Sequence, residues 1–371
     1  MAPPTTSRER LLAVFRREQP DRVPVSTYEM VGHDRESWYN RQPSYASLMD
    51  VVRERTDCLY MCCPAWRDLG RESVVEERVR RDGNRTYRTV TLHTPKSDLT
   101  GRFMQEDNLY TTWTTEHFLK DLDDLDRWLS IPYEPTPVDA SHIVADRERL
   151  GERALMLVDT ADPICVMAEL FEFGEFLVQT VVSPRAILSA MDVIIERQLA
   201  ALKEALEQGA GPAWRLVGPE YGSPPYMPPE AFRTFVADYD RRIIDLIHDY
   251  GGHVRLHCHG RVRRLLPIFI EMGADATDPV EAPPTGDVEL AEAKRMAGDR
   301  LALFGNLQLR DLEYCEPDEI ERIVVACMDA AKAGGGYCIM PTASPINDPL
   351  NDRTRDNYLR FIDAALRYGA Y

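Results

Sequence analysis

Two histidines stand two residues apart in Val254-Arg255-Leu256-His257-Cys258-His259-Gly260, a short apolar run that stops at a glycine. Side chains alternate between the faces of a β-strand, so His257 and His259 are expected to point one way and Cys258 the other. Two neutral imidazoles converging at the end of a buried strand suit a transition-metal site. Catalytic zinc usually takes three protein ligands and keeps one position open. Glu220, which closes Leu216-Val217-Gly218-Pro219-Glu220, is the third candidate by topology, and Cys338 is a soft alternative in a later strand. His257, His259 and Glu220 are therefore the candidate catalytic residues, and with Cys338 they are the candidate metal ligands. Each also has a plainer role. The histidines could orient a carboxylate, Glu220 could cap a helix, and a cysteine such as Cys338 is more often a buried inert thiol.

The elements that must position these residues alternate along the chain. Val23 to Tyr28, Cys58 to Cys62, Ala154 to Thr160, Arg215 to Val217, Val254 to Cys258, Ala276 to Val280, Leu301 to Phe304 and Tyr337 to Met340 carry strand patterns. Helical periodicity covers Pro184 to Glu207, Pro229 to Tyr250, Val262 to Met272, Val288 to Ala297, Pro317 to Ala333 and Arg355 to Tyr368. Eight strands, most followed by a helix, predict an α/β fold of the (β/α)8 TIM-barrel type, spanning residues 1–371 as one domain. A first helix is expected behind a Ser7 cap, without a capping box because Arg10 stands three residues later. The stretch from Glu72 to Trp113 alternates polar with β-branched or aromatic residues around Asp82-Gly83, which predicts an antiparallel β insert at about residues 70–115, after the second strand.

In such a barrel, functional groups sit at the C-terminal ends of strands. That rule selects Thr27, Glu29, Cys62, Cys63, Asp162, Asp278 and Gln308 beside the residues above. Tyr28, Asp159, Arg255, Glu281 and Asn306 are expected to bind substrate. Cys258 should face the helix layer.

The formal charge of −17 argues against general binding to nucleic acid or a membrane surface, because phosphate attraction needs a basic footprint. Eight cysteines without the spacing of a disulfide framework, and an opening without an apolar leader region, predict reduced thiols and a cytoplasmic location. No phosphate loop, dinucleotide fingerprint or Gly-x-Ser-x-Gly elbow is present.

Nearly the whole chain resembles the uroporphyrinogen decarboxylase superfamily. The resemblance is carried by SRERLLAVFRREQPDRVPV, DPICVMAELFEFGEFL, HVRLHCHGRVRRLLPIFIEMGADATDPVE, GDRLALFGNLQ and GGGYCIMPTASPINDPLNDRTRDNY, in that order. It implies a (β/α)8 barrel. True decarboxylases of the superfamily carry an Arg-rich signature after the first strand and an aspartate after the second. Here those places read VSTYEMVGHDRESWY, with Arg35 the lone arginine, and LYMCCPAW. The chain looks more like the corrinoid-linked methyltransferase branch, whose zinc-dependent members carry His-x-Cys-Gly on the fifth strand and a late cysteine. His257 matches the motif histidine, His259 stands in the cysteine place, and MPTASP offers Ala343 near the late position. The resemblance therefore implies methyl transfer between a small O- or N-methyl substrate and a corrinoid carrier on a partner protein, with zinc as the assisting metal. Imidazole and carboxylate ligands would leave such a metal more Lewis-acidic than thiolates do. The alternatives are a decarboxylase or lyase acting on a carboxylated substrate, and a non-catalytic ligand-binding barrel. A homodimer is the commonest assembly for such a chain.

Overall fold

The computed structural model describes residues 5–371. Its strands are β1 (Cys58–Cys62), β2 (Val75–Asp82), β3 (Arg85–His93), β4 (Asp98–Glu106), β5 (Trp113–Glu116), β6 (Ala154–Ala161), β7 (Ala213–Val217), β8 (His253–His257), β9 (Ala276–Asp278), β10 (Ala302–Leu307) and β11 (Tyr337–Pro341). Seven of them form one parallel sheet in the order β1-β6-β7-β8-β9-β10-β11. A parallel sheet covered on both faces favours near-continuous apolar strands. Accordingly β11 is buried along all five residues and β6 along its first five.

The expected first strand does not form a ladder, so the sheet is a curled seven-stranded one and not a closed barrel of eight. Val23 to Tyr28 makes a single parallel bridge, Val25 to Ile339. Ser26 donates its N–H to the Ile339 carbonyl at 3.0 Å, and on the other side Asp57 N–H reaches the Val25 carbonyl at 2.7 Å. The segment thus spans the gap between β11 and β1. Two residues cut it short. Pro24 has no N–H to give a ladder, and Tyr28 turns the chain at φ 58°.

The inner face of the sheet is filled by Leu59, Leu155, Leu157, Ala213, Ala276, Ala302, Phe304, Cys338 and Met340, together with Leu11, Val14 and Phe15 from the N-terminal helix Ser7–Phe15. Phe15 packs on Phe304 with ring centroids 5.3 Å apart and stacks on His253 at 5.8 Å. The helix therefore plugs the N-terminal end of the sheet and leaves the C-terminal end for chemistry. Its cap lies one residue earlier than expected. Thr6 is the N-cap and Glu9 completes a capping box, while the Ser7 hydroxyl accepts the Cys58 N–H at 3.0 Å.

The insert is a four-stranded antiparallel sheet in the order β2-β3-β4-β5. Its first hairpin turns through Gly83-Asn84, with Gly83 at φ 59°. Tyr110 N–H donates to the Ile346 carbonyl at 2.8 Å, which ties the insert to the loop after β11. The helical stretch from Pro229 carries a π-helical turn, Arg233–Ala237, before Asp238–Asp249. Among the described residues no single helix is long and apolar enough to cross a membrane.

Candidate functional site

Neighbouring parallel strands bring four charged groups into register. Arg215 on β7 pairs with Arg255 on β8, and His257 on β8 pairs with Asp278 on β9. Arg215 donates to both oxygens of Asp159, from Nε at 2.8 Å and Nη2 at 2.9 Å, the bidentate geometry that suits a planar guanidinium. Its Nη1 donates to the Tyr28 hydroxyl at 3.3 Å, and that hydroxyl lies 3.4 Å from His257 Nε2. His257 Nδ1 lies 2.9 Å from Asp278 Oδ2, and Arg255 Nε stands 2.9 Å from Asp278 Oδ1. The result is one connected line, Asp159–Arg215–Tyr28–His257–Asp278–Arg255, with two cations against two anions.

Burial alone would raise the Asp278 carboxyl, but the charges of Arg255 and His257, the His257 hydrogen bond and Arg215 hold it down at about 2. The ionised Asp278 accepts the His257 Nδ1 proton, and the ring's Nε2 faces the Tyr28 hydroxyl. Tyr28 itself is pushed up, first by burial and then by Asp278. Its backbone sits in the left-handed region, where a non-glycine residue costs on the order of 1–3 kcal/mol. The same turn carries the Tyr28 hydroxyl between Arg215 and His257.

His259 follows the end of β8. Its ring stands edge-on to that of His257 with centroids 4.8 Å apart. Its Nδ1 is 3.3 Å from Glu281 Oε2, and the same oxygen accepts the Gly260 N–H at 3.0 Å. Gly260 has φ 97°, and a Cβ there would come within 2.9 Å of Ser223 Oγ. The glycine that ends the histidine run is thus required by the close approach of the loop after β7. Burial disfavours a charged His259 ring, but Glu281, then Glu220 and Asp278, outweigh it and raise its pKa. Glu281 is lowered in turn, burial being outweighed by His259.

Above this pair lies a cleft of about 1050 Å³ between the β insert and the loops after β7, β8 and β9. His259, Glu281, Glu220, Glu169, His117 and Tyr221 are among its walls. Glu220 sits in the short turn Pro219–Gly222, and its carboxylate accepts the Gly218 N–H at 3.3 Å. Burial pushes Glu169 up.

The structure brings His259, Glu220 and Glu281 to one cleft and puts Tyr28, Asp159 and His257 in the line beneath it. It does not bring Arg255, Asn306 or Cys338 there. Arg255 is fully buried and spends its charge on Asp278, so it has no surface for a substrate. Asn306 donates to the Val280 carbonyl at 3.0 Å and receives the Cys327 thiol at 3.6 Å, inside the core. Cys338 lies in the apolar filling of the sheet interior. Among the described residues no three His, Cys, Asp or Glu side chains converge to hold a metal ion. Of the candidate ligands, Glu220 turns a carboxylate oxygen back onto the Gly218 N–H and Cys338 is packed away in the sheet interior. Cys258 is buried in the core between sheet and helices.

Arg215 is the member of this line that the sequence did not single out. A lone arginine in the apolar strand Ala-Trp-Arg-Leu-Val, in the phase of the inward Ala213, was the available signal. The pairing of Asp278 with His257 had no signal short of the strand register.

A family model described as uroporphyrinogen decarboxylase (URO-D) matches residues 113–346, more than half of the chain. No curated protein matches it. Among solved structures, a methyltransferase from Methanosarcina mazei is similar over 98% of this chain and 99% of its own, with 16% identity and a TM-score of 0.62. At that identity the likeness is one of fold. A Listeria monocytogenes protein put forward as a vitamin-B12 independent methionine synthase aligns over 64% of this chain and 73% of its own, at 12% identity and a TM-score of 0.39, too low to bear on the fold. The family match, together with the curled parallel sheet and its site at the C-terminal end, has one consequence: the chain belongs to the uroporphyrinogen decarboxylase family.

Proposed function

We propose that the protein transfers a methyl group between a small O- or N-methyl substrate and a corrinoid carrier held by a partner protein. The observation that carries this proposal is His259 on the wall of the open cleft, with Nδ1 facing Glu281. The fold shared with the Methanosarcina mazei methyltransferase supports the choice of reaction class.

Breaking an O–CH3 or N–CH3 bond leaves the electron pair on the heteroatom, which then needs a proton. A histidine anchored at Nδ1 by a carboxylate keeps Nε2 for that transfer, and general acid help of this kind contributes on the order of 10²–10⁴-fold. Glu281 both orients the His259 ring and favours its charged form. In the reverse direction the same nitrogen takes the proton back. The corrinoid supplies the nucleophile that accepts the methyl group. A cleft of about 1050 Å³ between insert and sheet has room for a substrate to meet a bulky second reactant.

Zinc takes three protein ligands in a catalytic site. The donors here do not converge in that way, so no step is routed through a metal. Arg215 and Arg255 each face a buried or half-buried aspartate, so neither is free to hold the substrate carboxylate that a decarboxylase would bind.

The test is anaerobic incubation with cob(I)alamin and a panel of methyl donors, with anisole as the O-methyl probe and trimethylamine as the N-methyl probe. Formation of methylcobalamin, slowed about 100-fold or more in His259→Gln, is the expected result. No methylcobalamin with any donor overturns the proposal, and turnover unchanged in His259→Gln removes the role given to that residue.

A further inference from the structure

A second cavity, of about 350 Å³, lies beside the site, between β6, β7 and the long helix Pro184–Glu207. Ile194, Arg197, Gln198, Ala201, Leu202 and Ala205 line it from the helix, a spacing of three and four residues that puts them on one face. Trp214 from β7 and Trp128 from the helix Leu122–Leu129 complete its walls. The volume is at the lower end of the roughly 300–1,000 Å³ of small-molecule sites, enough for one ring.

Three of its buried polar atoms have no protein partner. Trp214 is 1% exposed and Trp128 9%, yet neither indole N–H makes a hydrogen bond, and Gln198 Oε1 is also buried without a partner. Buried donors left unpaired are uncommon and costly, so two indole N–H groups in one cavity ask for a ligand that accepts from them. The guanidinium of Arg197 lies 4.2 Å over the Tyr133 ring, and both residues line the cavity. No carboxylate pairs with Arg197 among the described residues. The acids that do line the cavity are engaged elsewhere: Asp159 holds Arg215, and Asp68 accepts the Glu134 N–H. Two indole donors, with the guanidiniums of Arg197 and Arg71 beside aliphatic walls, call for an acceptor-rich anion on a flat apolar body.

We propose that this cavity is a binding site, separate from the cleft, for a small aromatic carboxylate. The carboxylate would face Arg197 and the ring would lie between Trp214 and the aliphatic face of the helix. The proposal stands independently of the methyl-transfer chemistry. Because Asp159 borders both the cavity and the line through Arg215 to His257, an occupant would also touch the support of the main site.

Isothermal calorimetry with benzoate as the probe, beside neutral benzamide, tests it. Saturable one-to-one binding of benzoate is expected, weakened about tenfold or more in Arg197→Gln, in Trp214→Phe and on changing to benzamide, as loss of a charge-assisted or buried hydrogen bond implies. Melting curves matching the wild type show that the variants are folded, and Arg197→Lys, which keeps the charge, should retain part of the affinity. No saturable benzoate binding to the wild type overturns the proposal. So does benzoate binding that is unchanged in folded Arg197→Gln, since Arg197 would then not hold the carboxylate.

Discussion

His257 and Asp278 face each other across the β8–β9 ladder, Nδ1 2.9 Å from Oδ2, and the same carboxylate meets the fully buried Arg255. One aspartate therefore serves two partners. Asp278→Asn would remove the counter-charge of Arg255 where no water can replace it. Breaking one side of a buried ion pair costs about 3–5 kcal/mol, because the remaining charge is left uncompensated. Urea denaturation should register that loss. The double variant Asp278→Asn with Arg255→Met should recover much of it, since replacing both charges removes the desolvation penalty along with the attraction. A single variant as stable as the wild type would show that the pair does not hold the floor of the site.

His259 gives the methyl-transfer proposal a pH signature. Its pKa is raised in the folded protein by Glu281 and the nearby carboxylates, against the opposing effect of burial. The charged pair therefore stabilises the fold fully below the unfolded histidine pKa of about 6.5, and the contribution fades as pH rises through the higher folded value. The protonated ring needed as acid is lost over the same window, so kcat/KM should fall there. In Glu281→Gln the raising partner is gone, and the alkaline limb should move to lower pH with the same maximum chemistry available to the ring. A limb that stays in place would show that another group sets the profile.

How much of this was legible beforehand depends on the distance over which each feature is decided. The alternation that pairs His257 with His259 and buries Cys258 is local, and so are the insert and its Asp82-Gly83 hairpin signal. The capping box was missed by one residue because Thr6 and Ser7 are both good caps, and only the tertiary bond from Cys58 to Ser7 decides between them. The expected strand from Val23 to Tyr28 failed because Tyr28 leaves the extended region to reach Arg215 and His257, two partners far along the chain. Cys338 and Glu220 were grouped with the histidines by strand order alone. Strand order says which end of the sheet a residue approaches but not its depth, and Cys338 lies deep among Phe304, Met340 and Leu157.

Phe15 offers a test of the plug that closes the other end of the sheet. It is fully buried between Phe304 and His253, and it reaches them only through the capped N-terminal helix. Phe15→Ala removes a ring from an interior that cannot collapse around it, and such substitutions cost about 3–5 kcal/mol. Thr6→Ala, which removes the cap and its reciprocal bond with Glu9, should cost about 1 kcal/mol. Chemical denaturation of both variants would rank them. A smaller loss for Phe15→Ala than for Thr6→Ala would mean that the helix is held by its cap and not by the ring it inserts.

Asp162 and Asp240 make the strongest prediction about pH and stability. Both are fully buried; Asp162 caps the helix Pro163–Leu170 by accepting the Cys165 N–H at 2.7 Å, and its carboxyl meets that of Asp240. Burial raises both carboxyls well above their ordinary range; for Asp162 the charge of Asp240 adds to this, and for Asp240 the charge of Glu220 does. Two adjacent buried carboxyls cannot both ionise, so the folded state retains protons that the unfolded chain releases near pH 4. Stability must then fall as pH rises above about 4 and continue to fall until the folded pair ionises. Asp240→Asn keeps the shape and removes one of the acids, while Asp162 keeps its cap. The variant should match the wild type at pH 4 and be more stable at pH 8, by about 1.4 kcal/mol for each pH unit by which burial raises the Asp240 carboxyl. Urea midpoints across that range would show the two curves separating as pH rises. Parallel curves would mean that the pair carries no proton that the unfolded chain gives up.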